Sequence, residues 1–352
     1  MHFAIIARVL GMLLIIFSLS MLTPVLVALL YGENTSHTFF IAFAITFLVG
    51  LIFWLPSRGS KGELRTRDGF VVTVFFWLVL SSFGSLPLML SEALQLNFID
   101  ALFESISGLT TTGATVIAGL DNLPKSILYY RQQLQWLGGI GIVVIAVAIL
   151  PMLGVGGMQI YRAETPGPMK DSKLTPRITE TANVLFRIYL CLTIACALAY
   201  WGAGMSGFDA ISHSFSTVSI GGFSTHDASI GFFDNSAIMA ICCFFMIIAG
   251  LNFALHFHAW HSLRPSMYWA DPEARLYLFL LLVGAIITCC YLYYSGTFDR
   301  NESIRQGAFQ LISIMTTTGF TTSEFHNWPS FLPFFLIFLS FFGACAGSTG
   351  GG

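Results

Sequence analysis

Three strings of small residues, each centred on glycine, carry the chemistry that this sequence can offer. They are TTTGAT at 110–115, STVSIGGFST at 216–225 and TTTGFTT at 316–322. None of their side chains is an acid, a base or a metal-binding imidazole. What they present is backbone carbonyl oxygen and neutral hydroxyl. A ring of carbonyls that replaces the water shell of a dehydrated ion is a device for selecting K⁺. Such a ring needs backbone outside helix and strand, with glycine where positive φ is required, and Gly113, Gly222 and Gly319 stand where that angle would be supplied.

The strings belong to a repeat. FIDALFESISGLTTTGAT (98–115), FDAISHSFSTVSIGGFST (208–225) and RQGAFQLISIMTTTGFTT (305–322) superimpose without gaps. Six residues before each glycine stands a serine, Ser107, Ser216 or Ser313; two after it stands a hydroxyl, Thr115, Ser224 or Thr321. Nine before it stand Glu104, His213 and Gln310. Glu104 is read as a support of the loop, because an ionisable group at membrane depth is costly without a purpose.

The elements that must hold these loops are membrane helices. Of the 352 residues 55% are hydrophobic and 10% charged, and the mean hydropathy is +0.77. Uncharged runs near the ~20 residues needed to cross a bilayer cover Val9–Gly32, Asn34–Ser57, Gly69–Ser91, Gln132–Tyr161, Ile188–Phe208, Asn235–Asn252 with an extension, Leu276–Phe298 and Pro329 onward. Each loop lies between two such runs, behind a helical segment too short to span. Non-helical backbone at that depth survives only where it is buried or lines a cavity. The short helices point their C-terminal, partially negative ends at the loops and so favour a cation. Asp100 and Asp209 sit near the opposite ends.

Arg8 and the loops 58–67, 162–187 and 262–275 hold 12 of the 16 Lys and Arg. That asymmetry predicts a cytoplasmic N-terminus. The seven cysteines show no CxxC spacing and read as small apolar fillers.

The segments TTTGAT, STVSIGGFST and TTTGFTTS resemble the Trk/Ktr/HKT superfamily of K⁺ transporters over the whole chain. The two extra N-terminal helices and the closing GACAGSTGGG look like its bacterial TrkH/TrkG branch. The resemblance implies an all-α integral membrane protein of helix–pore loop–helix units in a pseudo-fourfold arrangement. It implies K⁺-lining backbone at Thr110, Thr111, Thr112 and Gly113, at Val218, Ser219, Ile220, Gly221 and Gly222, and at Thr316, Thr317, Thr318 and Gly319. It implies an intramembrane gate loop at Gly343, Ala344, Cys345, Ala346, Gly347, Ser348, Thr349, Gly350, Gly351 and Gly352. It also implies a homodimer in the bacterial inner membrane and a cytoplasmic TrkA-type nucleotide-binding partner. The segments 162–187 and 262–275 are the docking surfaces by position.

The expected layout is two N-terminal helices in 1–68 and pore repeats in 69–162, 163–262 and 263–352. Only three of four expected units are found, so a chain truncated before the fourth repeat is expected. K⁺ is the transported ion, by channel or symport. No cofactor on the chain and no nucleic-acid partner are expected.

The alternative, a secondary transporter of a small polar solute, would aim half-helix N-termini at an anionic substrate. An intramembrane enzyme would need a nucleophile–base pair or metal ligands at depth, and the sequence offers neither. GVGGMQ at 154–159 has Gln159 where a dinucleotide fingerprint needs its third glycine. HFHAWH at 256–261 lacks the spacing of one helical face and reads as an interfacial belt. Asn252, one turn earlier, is a candidate to face the pore.

Overall fold

The computed structural model describes residues 3–59, 66–139, 141 and 178–350. Residues 162–177 of the predicted docking segment 162–187, GVGGMQ, the far half of the run ending at Tyr161, and Gly351–Gly352 lie outside them. Among the described residues the regular structure is helical.

The chain forms two compact units, residues 1–110 with 114–186, and residues 111–113 with 187–352. In the first unit, α1 (Phe3–Ser20) and α2 (Leu22–Tyr31) make one span with a break at Met21, followed by α3 (Ser36–Ser57). The α1 and α3 backbones cross closely: a Cβ added at Gly11 would lie 2.7 Å from the Gly50 carbonyl oxygen. Small residues at such a crossing let membrane helices gain contact where no hydrophobic drive exists between them. Next come α4 (Thr66–Gly84), α5 (Leu86–Leu90), the short α6 (Phe98–Leu109) and α7 (Lys125–Gly139). Helix α7 starts seven residues before the apolar run at Gln132, because Lys125, Tyr129 and Arg131 are helical although not all are apolar.

The plan is repeated twice more along the chain. Helix α8 (Ile178–Gly202) leads into the short α9 (Gly207–Val218) and then α10 (Ser236–Ala249). The predicted extension of α10 is absent as a straight helix. The chain turns by 95° and resumes as α11 (Phe253–Ser262). Asn252 caps α11, its side chain accepting from the Ala254 amide, which gives this residue a structural role at the turn. The third copy comprises α13 (Pro272–Tyr294), the short α14 (Arg300–Met315) and α15 (Phe331–Ser340), with α12 (Met267–Ala270) before it.

Local chemistry sets where each short helix begins. Asn97, Ser206 and Asp299 accept from the amides of Asp100, Asp209 and Glu302, three residues on. Such caps satisfy amides that a helix start leaves unpaired, and the following carboxylates suit the positive end of the helix dipole. Helices α6 and α9 have 12 residues each and α14 has 16. The third copy therefore begins one turn earlier and carries no Asp at the position of Asp100 and Asp209. All three are too short to cross a bilayer core of ~30 Å at 1.5 Å per residue.

Candidate functional site: three glycine-centred loops

Each short helix ends in the same run of backbone angles. After α6, φ is −84° at Thr110, 54° at Thr111 and 77° at Gly113, with Thr112 negative between. After α9, φ is −79° at Ser219, 55° at Ile220 and 79° at Gly222. After α14 it is −73° at Thr316, 66° at Thr317 and 85° at Gly319. In an extended chain with uniform φ sign, successive carbonyls point to opposite sides. Alternating the sign turns them to one side. The glycines at positive φ were legible in the sequence, but Thr111, Ile220 and Thr317 were not. β-Branched residues avoid this region, at a cost of order 1–3 kcal/mol each. Three equal outliers in three copies point to function, because such strain persists only where the surroundings enforce it.

The tips pack in order. A Cβ at Gly113 would meet the Gly221 carbonyl oxygen at 2.3 Å, and one at Gly222 would meet the Thr318 carbonyl oxygen at 1.9 Å. Among the described residues nothing lies within 4 Å of the same point on Gly319. Glycine is thus required twice at positions 113 and 222, for the angle and for the approach of the next loop's backbone.

Behind each loop, the residue nine before the glycine reaches the segment just after it. Glu104 is fully buried and accepts from the Val116 amide (3.1 Å) and the Thr115 hydroxyl (2.9 Å). Its charge is met by Arg131, 1% exposed, whose Nη2 lies 2.7 Å from Oε1. Arg131 also donates to Thr115 (3.0 Å). In the second copy, His213 Nδ1 lies 2.9 Å from the Asp209 carbonyl oxygen, which can only accept, so the proton sits on Nδ1. Nε2 then accepts from the Ser224 hydroxyl at 2.9 Å. In the third, Ser313 Oγ donates to the Phe320 carbonyl at 2.6 Å, with Gln310 Nε2 at 3.5 Å from it. A second tie recurs: Thr225 donates to Asp209, and Thr322 to Gln306. Burial alone would raise the Asp209 carboxyl, but the His226 ring nitrogen 3.5 Å away and hydrogen bonds from Ser206 and Thr225 outweigh it and hold the group well below the usual carboxylate range. A negative charge therefore persists at the start of α9.

The glycine-rich stretch from Gly343 to Gly350 follows α15 and is not helical. It fills the break between α10 and α11. Cys345 and Thr349 amides donate to the carbonyls of Gly250 (2.9 Å) and Ala249 (3.4 Å), and the Phe253 amide donates to Gly347 (3.0 Å). Carbonyls and amides released by the turn are thereby satisfied, as backbone in a membrane requires. The Ala346 amide donates to Glu273 at the start of α13 (2.6 Å). At its far end Thr349 Oγ1 donates to the carbonyl of Val218, the last residue of α9, at 2.8 Å. A Cβ at Gly350 would stand 3.2 Å from the Thr316 carbonyl oxygen. The stretch thus touches the beginnings of two of the three loops.

Sequence reasoning missed two participants. Arg131, one residue before the uncharged run at Gln132, is buried against Glu104; a lone arginine at the edge of an apolar run was the available signal. The turn at Gly250–Asn252 was hidden in an apolar run, signalled only by glycine followed by a capping asparagine. Of HFHAWH, His256 is buried between the Tyr268 hydroxyl and the Ile248 carbonyl, whereas His258 and His261 are exposed.

Comparison with known proteins agrees with this architecture. Residues 35–352 match the family model TrkH, described as cation transport protein. The chain is 57% identical to the Trk system potassium uptake protein TrkH of Halomonas elongata, covering 100% of this chain and 73% of that protein. It is 43% identical to the Trk system potassium uptake protein TrkG of Escherichia coli, covering 100% of this chain and 72% of that one. The crystal structure of the potassium transporter TrkH from Vibrio parahaemolyticus superimposes with a TM-score of 0.89 at 51% identity, over 100% of this chain and 72% of that chain. Repeated loops, helical architecture and relatives agree, and the chain belongs to the TrkH family of cation transport proteins.

Proposed function

We propose that this protein takes up K⁺ as the translocating pore subunit of a Trk-type system. The observation that carries the reading is the recurrence of one φ pattern, negative and positive in alternation, in three loops at the C-terminal ends of three short helices. K⁺ would shed water at the carbonyls of Thr110–Gly113, Val218–Gly222 and Thr316–Gly319. Helix ends bearing partial negative charge favour a cation there, and they argue against a site for the anionic group of a solute. Each unit of helix, short helix, loop and helix forms one quadrant, in repeats at 69–162, 163–262 and 263–352 behind the N-terminal pair. The glycines succeed one another around the ring, Gly113 against Gly221 and Gly222 against Thr318.

The stretch Gly343–Gly352 acts as the gate, since its described part lies against the first carbonyls of two loops. The Lys/Arg asymmetry supports a cytoplasmic N-terminus in the inner membrane. A TrkA-type nucleotide-binding partner on that side and a homodimeric assembly complete the reading, on the names and resemblance of the relatives.

The intact gene is expected to restore growth of a K⁺-uptake-deficient bacterium on limiting K⁺ and to confer Rb⁺ uptake; absence of both would overturn the reading. The gate is tested through Cys345, which is 3% exposed. With the other six cysteines replaced, a cytoplasmic thiol reagent should modify Cys345 at least tenfold faster while flux is switched on. Equal rates in the two states would remove the gate assignment.

A further inference from the structure

The gate reading leaves open how the loop senses the ion path, and one hydroxyl bears on that. Val218 ends α9, and the last carbonyls of a helix have no partner within it. Its oxygen is taken instead by Thr349 Oγ1 at 2.8 Å. The same hydroxyl has a second acceptor, the Ala249 carbonyl oxygen, at 3.2 Å. Thr349 is 7% exposed and its neighbour Ala249 1%, so water does not substitute readily for either contact. A hydroxyl carries one proton and serves one acceptor well at a time.

We propose that Thr349 couples the occupancy of the ion path to the seating of the glycine-rich stretch, through competition for the Val218 carbonyl. With the Thr349 hydroxyl donating to Val218 the loop is held by its shorter bond, and that positive hydrogen competes with an approaching cation for the carbonyl oxygen. With K⁺ at that oxygen, the hydroxyl is repelled toward Ala249, and the loop loses its tie to α9 while keeping the longer hydroxyl contact and its backbone bonds to the α10–α11 break. Ion binding therefore loosens the loop, and by reciprocity a seated loop weakens ion binding at the inner end of the path. Thr349 is a positioning residue in this scheme. It does not need to touch the ion, because it acts through the oxygen that both partners share.

The inference rests on the gate reading, and one experiment separates the two. Flux is measured against K⁺ concentration in proteoliposomes holding the full chain. The parent should show flux that rises more steeply than first order at low K⁺. Thr349→Val keeps the shape and removes the hydroxyl. It should raise flux at low K⁺ about fivefold, the factor set by one net hydrogen bond, and flatten the K⁺ dependence. Thr349→Ala should do the same if the valine variant fails to assemble. Thr349→Ser should restore the parental curve. Parental flux and K⁺ dependence in Thr349→Val, with Cys345 labelling still dependent on state, would overturn this inference alone. State-independent labelling of Cys345 would overturn the gate and the coupling together.

Discussion

Replacing Gly222 by alanine is expected to reduce K⁺ uptake roughly a hundredfold, more than the same change at either other loop glycine. Two separate costs combine. The residue sits at φ 79°, and an L side chain in the left-handed region costs ~1–2 kcal/mol. Its new methyl would fall 1.9 Å from the Thr318 carbonyl oxygen. That neighbour is backbone, which cannot swing aside as a flexible side chain would, so the third loop must shift. Overpacking of this kind costs ~1–3 kcal/mol. Together they approach ~3 kcal/mol, and each ~1.4 kcal/mol is a factor of ten. Gly113→Ala meets the Gly221 carbonyl oxygen at 2.3 Å with φ 77° and should follow closely. Gly319→Ala carries the angular cost at φ 85° without a neighbour within 4 Å among the described residues, so about a tenfold loss is expected. The measurement is Rb⁺ uptake at matched membrane expression, with Na⁺ competition as the readout of selectivity. Equal effects at all three positions would count against the ordered packing of the tips.

The second large effect is expected at the buried pair behind the first loop. Glu104→Gln should destabilise the first unit by ~3–5 kcal/mol, because it leaves the Arg131 guanidinium buried without its counter-charge. The amide can still accept from Val116, so the loss isolates charge from hydrogen bonding. Glu104→Gln with Arg131→Met should recover most of that stability, since replacing both members of a buried pair is often close to neutral. Uptake should recover less than stability. Arg131 also holds the Thr115 hydroxyl, which itself accepts from the Ile117 amide (3.0 Å), and the methionine cannot do so. A thermal melt in detergent and Rb⁺ uptake, run on both single variants and the double, give the cycle. Unchanged stability in Glu104→Gln would show that the carboxylate serves the loop by its shape alone.

Much of this was legible before any coordinate. Composition fixed a helical membrane protein, because runs of ~20 uncharged residues have one stable fate in lipid. The threefold spacing of Thr/Ser and Gly marked the loops, and Glu104, nine before the first glycine, was marked as a support. Glu104, His213 and Gln310 share that position while differing in charge, and each reaches the segment following its glycine. The family resemblance supplied the glycine-rich stretch and the ion.

What the sequence determined is therefore whatever depends on neighbours along the chain: periodicity, capping by Asn97, Ser206 and Asp299, and glycine where φ turns positive. What only the tertiary structure decided depends on atoms brought together from distant segments. Thr111, Ile220 and Thr317 adopt positive φ against their own preference, and no local rule predicts strain that packing imposes. Arg131 is buried because Glu104, 27 residues earlier, is there to meet it. The turn after Ala249 is stable because Cys345 and Thr349, about 100 residues later, satisfy the backbone it exposes. Local preference is written residue by residue, whereas the compensation for a broken helix or a buried charge comes from wherever the fold places a partner.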